Sequence, residues 1–132
     1  MRWYLDTSIA LHAVFPWGDD RAYRWLDGVV ASGATVLSST LLELEVVRAL
    51  RRERLALSLA TPLLKRTNLV SLEDGVLRVA AAIEPHAKAL DAIHLATCSM
   101  LGFGITLVTH DTGMLAAAAA LGLDRFDPLA SR

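Results

Sequence analysis

The chain has 132 residues, 54% of them hydrophobic, a formal net charge of −1 and a single cysteine. That length suits one domain, residues 1–132, burying roughly two thirds of its unfolded surface. The balanced charge argues against indiscriminate coating of nucleic acid or membrane. No apolar run nears the roughly 20 residues of a bilayer span, and no secretory leader pattern is present, so a cytoplasmic protein without membrane contact is expected.

In chain order, "RWYL" reads as a short buried strand that ends at Asp6, with a helical pattern following at once. Burying a lone carboxylate costs several kcal/mol on the order-of-magnitude scale, so Asp6 needs compensation, and Thr7 and Ser8 are able to cap the helix after it. Asp19 or Asp20 caps a helix over "RAYRWLDGVVAS", which stops at Gly33. The strand "ATVLS" leads to "TLLELEVVRAL", where Thr40 and Glu43 fit a capping box. After the strand "NLVSL", a helix over "HAKALDAIHLATCSML" follows Pro85 and stops at Gly102. The strand "GITLVT", the helix "GMLAAAAAL" up to Gly122 and the strand "LDRFD" complete the chain. Such alternation predicts a parallel sheet with helices on both faces. Cys98 reads as a small core residue suited to a reducing compartment.

Ligands of open parallel sheets sit beyond the carboxyl ends of the strands. Asp6 and Asp111 lie there, after the first and fourth strands, on what are expected to be neighbours. Each can serve as a helix N-cap, Asp111 before "TGML" most simply. Together they would repel unless one is protonated or a cation sits between them, and oxygen donors favour a hard ion such as Mg²⁺ or Mn²⁺. Glu45 shares a helix face with Leu41, Arg48 and Arg52, either as part of a solvated Glu–Arg face or as a metal ligand beside phosphate-binding arginines. Pattern alone leaves Glu45 and Glu43 both open. Asp91 stands in an otherwise apolar helical run, where an acid without a partner is uncommon. His94 reads as a hydrogen-bonding structural residue, and His12, His86 and His110 carry no stronger reading.

These segments resemble the PIN domain, in particular the VapC-type toxin ribonucleases of VapBC toxin–antitoxin systems. The resemblance is carried by "YLDTSIA", "SSTLLELEVVRAL", "ALDAIHLA" and "LVTHDTGM", which span Asp6 to Met114. It implies a three-layer α/β/α sandwich on a central parallel sheet of about four or five strands. It implies an acidic catalytic and metal-binding cluster of Asp6, Glu45, Asp91 and Asp111, with Thr7 and Thr109 as supporting hydroxyls. Glu45 is chosen over Glu43 by its register after Ser39 and before "VVRAL". Where the family often has Leu-Arg-x-Leu-Asp before the third acid, Lys88 stands here, which keeps the charge without the arginine fork. The implied activity is Mg²⁺-dependent hydrolysis of RNA, with Arg48 and Arg52 on the RNA backbone, a homodimeric state and a small cognate antitoxin as partner. Three alternatives compete: a catalytically silent PIN fold that binds RNA or protein, a receiver-like phosphoacceptor domain, and a nuclease acting on DNA.

Overall fold

Alternation of burial along the strands sets the layers. In β1 (Arg2–Leu5), Tyr4 and Leu5 are both fully buried, yet they join different cores on opposite faces of the sheet. The computed structural model describes residues 1–130. The remaining strands are β2 (Thr35–Ser39), β3 (Asn68–Val70), β4 (Ile105–Val108) and β5 (Asp124–Phe126). All pairings are parallel, in the order β3-β2-β1-β4-β5.

Among the described residues seven α-helices cover the sheet: α1 (Thr7–Val14), α2 (Asp20–Ala31), α3 (Thr40–Arg52), α4 (Thr61–Arg66), α5 (Asp74–Ala81), α6 (Ala89–Met100) and α7 (Thr112–Ala120). Leu5, Val36 and Val108 pack with Ile9 of α1, Leu26 of α2, Leu42, Val46 and Leu50 of α3 and Leu63 of α4. Tyr4, Ile105 and Leu107 pack on the other face with Leu95 and Cys98 of α6 and Met114 and Ala117 of α7. The architecture is therefore the expected three-layer α/β/α sandwich.

Two local expectations are corrected. The helix expected directly after Pro85 begins at Ala89, because Lys88 keeps an extended backbone (φ −64°, ψ 155°) that turns the chain first. The capping box at Thr40 and Glu43 does not form. Ser39 is the N-cap of α3, its hydroxyl accepting from Leu41 N at 3.0 Å, while Thr40 Oγ1 accepts instead from Leu72 N at 3.2 Å.

From β1 the chain winds outward through β2 to β3, then returns to place β4 on the other side of β1. The crevice between the ends of β1 and β4 is thus the switch point where ligands of such sheets bind. A receiver module has its first and third strands adjacent. Here β2 separates them, so Glu73 and Asp74 beyond β3 are held away from Asp6 by the sheet itself. The topology argues against the phosphoacceptor alternative.

Candidate functional site

Register puts the first components together. Leu5 pairs with Val108, and Asp6 N continues the ladder by donating to Val108 O at 2.9 Å. Asp6 and Thr109 therefore stand side by side past the ends of β1 and β4. Asp6 is only 4% exposed, and its Oδ2 accepts from Ser8 Oγ at 2.7 Å and from Thr109 Oγ1 at 2.8 Å, with Ser8 N at 3.4 Å. Hydrogen bonds to an ionised group are among the stronger ones, which offsets the cost of burial. This corrects the expectation that Thr7 and Ser8 cap α1: Asp6 is itself the N-cap, and the Ser8 hydroxyl is a donor to it.

Thr109 joins the two strand-end acids. Its hydroxyl donates to Asp6 and accepts from Asp111 N at 3.1 Å. Asp111 is exposed and caps α7 through Oδ1, which accepts from Met114 N at 3.0 Å. Capping therefore occupies one oxygen of Asp111 and does not exclude a second role.

The other two acids come from helices on opposite faces of the sheet. Glu45 of α3 accepts twice at one oxygen, Oε1: from Thr7 Oγ1 at 2.7 Å and from His94 Nε2 at 2.7 Å. Burial alone would raise its pKa, but the hydrogen bonds from His94 and Thr7 and the charge at His94 bring it below the ordinary glutamate value. Asp91 of α6 is half-buried, and its pKa is raised, first by burial and then by the negative charges of Asp6, Asp111 and Glu45, with His94 acting the other way. All three other acids act on Asp91, so the fold brings the four predicted carboxylates into one electrostatic neighbourhood. Glu43 lies exposed on α3 and makes none of the contacts that tie Glu45 to α1 and α6.

Arg48 and Arg52 are exposed on α3, and with Thr7, Glu45, Leu44 and Leu90 they line a cleft of about 320 Å³ beside the acids. Three residues of this neighbourhood were not assigned to the site from sequence. Ser8 could have been found as a hydroxyl two residues after the capping Asp6. His94 lies one turn beyond Asp91 on α6, which is a usable signal. Tyr4, whose hydroxyl meets His94 Nδ1 at 2.8 Å across 90 residues, offers none.

The donors at the four predicted positions are oxygens only, which suits a hard divalent cation. Asp91 faces three like charges with no hydrogen bond among the described residues to offset them, an excess of negative charge that such an ion would balance. Among the described residues no three His, Cys, Asp or Glu side chains are grouped so that all could ligate one ion directly. An ion shared by all four would therefore have to be held partly through water.

Residues 3–120 match the family model of the PIN domain. Among solved structures, the chain is similar to VapBC2 from Rickettsia felis bound to a DNA fragment from its promoter, with a TM-score of 0.74 and 16% identity over 96% of this chain and 98% of that one. It is also similar to a toxin–antitoxin complex from Klebsiella pneumoniae, with a TM-score of 0.73 and 19% identity over 97% and 98% of the two chains. FitAcB from Neisseria gonorrhoeae follows with a TM-score of 0.67 and 21% identity over 96% and 97%. At such identities these likenesses establish the fold. No curated protein matches the chain.

Proposed function

The chain belongs to the PIN domain family, and from that premise we propose that it is the nuclease toxin of a VapBC-type toxin–antitoxin pair, an endoribonuclease acting in the cytoplasm as one domain. The observation that supports this reading is that Asp6, Glu45 and Asp111, from three other segments, all raise the pKa of Asp91, with Asp6 and Asp111 standing past β1 and β4 at the switch point. A silent binding fold has no use for such self-repulsion, which lowers stability without any return.

In this reading the four acids hold a divalent cation, Mg²⁺ with Mn²⁺ as the alternative, partly through water. When bound, the ion would supply an acidified water and offset charge on the scissile phosphate. Asp6, fixed by Thr109 and Ser8, and Asp111, fixed by its cap, present oxygens from rigid strand ends. Glu45 presents its second oxygen, since Oε1 is already bonded to Thr7 and His94. Arg48 and Arg52 hold the RNA backbone along the adjoining cleft. A cognate small antitoxin is one expected protein partner, in keeping with the toxin–antitoxin complexes among the similar structures, and a second copy of the chain is the other.

The test is Asp91→Asn. Asp91 accepts no hydrogen bond among the described residues, so the change removes charge with little effect on packing. Metal-free protein is expected to gain up to about 1 kcal/mol of stability from relieved repulsion, while cleavage of single-stranded RNA in Mg²⁺ is lost. Wild-type protein that leaves RNA intact but cuts single-stranded DNA would support the DNA alternative, and cleavage unaffected by Asp91→Asn would remove the cluster from the chemistry.

A further inference from the structure

His94 is 1% exposed in the middle of α6, yet it contacts three other elements. Its Nδ1 lies 2.8 Å from Tyr4 Oη on β1, and its Nε2 lies 2.7 Å from Glu45 Oε1 on α3 and 3.2 Å from Thr7 Oγ1 on α1. The partners assign the hydrogens. An ionised carboxylate only accepts, so Nε2 carries a hydrogen and donates it to Glu45. Tyr4 is fully buried on the central strand, and its hydroxyl meets Nδ1 on the far edge of the ring.

The consequence falls on Glu45. A glutamate on a helix surface samples many rotamers, and fixing one costs on the order of 1–2 kcal/mol in entropy. Here Oε1 is pinned by two donors on the buried side, so Oε2 is left for the acidic cluster. Thr7 alone could not do this, because a single hydroxyl leaves the carboxylate free to swing about that bond. The ring, by contrast, is braced from its far edge by Tyr4 on the central strand.

We infer that His94 is a positioning residue, which with Tyr4 behind it holds the Glu45 carboxylate in the orientation that binds the divalent cation. This rests on the metal-dependent reading above, and it extends that reading to a residue that is itself neither acid nor ligand. Groups that orient a ligand in this way typically change metal affinity about 10–100-fold when removed.

The experiment measures Mn²⁺ binding by electron paramagnetic resonance and calorimetry on wild type, His94→Leu and His94→Gln, each checked for folding by circular dichroism. Glutamine places an amide N–H near the position of Nε2, so it can restore the donor to Glu45, whereas leucine cannot. His94→Leu is expected to bind Mn²⁺ about 10–100-fold more weakly, with His94→Gln recovering most of the loss. RNA cleavage should follow in kcat, with KM for RNA little changed. A folded His94→Leu protein that binds Mn²⁺ like wild type, or a glutamine variant no better than leucine, overturns the proposal. If His94→Leu does not fold, Tyr4→Phe decides: it keeps the ring but removes its brace, and affinity unchanged there also overturns the proposal. Wild type that binds no Mn²⁺ at all defeats the underlying metal reading instead, so the two failures are distinguishable.

Discussion

Two buried groups on the α6 side of the sheet hold their protons more tightly folded than unfolded. Burial pushes the Cys98 thiol up to about 12 and raises Tyr4 well beyond its ordinary value. In the unfolded chain they ionise near 9 and 10. Above pH 9 the unfolded state therefore binds fewer protons than the folded one, and stability must fall as pH rises. The contribution is complete below pH 9 and is lost progressively towards pH 12. Melting temperature followed from pH 7 to 11 should be level at first and then decline, with a shallower decline in Cys98→Ala. A flat profile to pH 11 would contradict the burial of both groups. At this scale the sequence reveals the acids and not their fastenings. Asp6, Asp91 and Asp111 stand out because carboxylates interrupt apolar runs, whereas the bond from Tyr4 to His94 joins residues that only the fold makes neighbours.

Three helices end in the same way. In α2 the N–H of Ala34 reaches Val29 O, in α7 that of Leu123 reaches Ala118 O, and in α3 that of Leu55 reaches Leu50 O. Each needs a left-handed residue at the turn. Gly33 (φ 83°) and Gly122 (φ 73°) supply it without steric cost, but α3 uses Arg54 at φ 56°. A side chain in that region costs on the order of 1–2 kcal/mol, part of which glycine would forfeit through its freer unfolded chain. Arg54→Gly should therefore stabilise the protein by up to about 1 kcal/mol, seen as a higher urea midpoint at unchanged slope. A lower midpoint would mean that the arginine side chain contributes contacts beyond its backbone. Elements are legible in sequence where their signal is long. The strands β1 and β4 carry apolar runs, "WYL" and "ITLV", and α2 and α7 carry their own stop signals. The start of α3 is blurred because Ser38, Ser39 and Thr40 all carry hydroxyls, and the last β2 pairing, Ser39 with Val70, decides which one caps. The short α4 and α5 offer too few turns for a periodic pattern to emerge.

For the molecule as a whole, the acidic cluster opposes the packing of the two cores. Helices from both faces, α3 and α6, bring carboxylates to the same edge of the sheet, so their repulsion bears on the entire sandwich. A cation that binds only the folded arrangement should therefore raise global stability, by about 2.7 kcal/mol at a hundredfold excess over its dissociation constant. The check is a thermal melt in EDTA against one in millimolar Mg²⁺. No upward shift would count against the metal site, and a shift retained in Asp91→Asn would point to binding elsewhere.

The central place of β1 has a temporal meaning as well. Asp6 is synthesised before the carbonyl of Val108 and the hydroxyl of Thr109 that settle it, which come about a hundred residues later. Until then the carboxylate has only its local partner Ser8, and any translation product halted before β4 lacks half of the crevice. The crevice is whole only once β4 has joined the sheet beside β1.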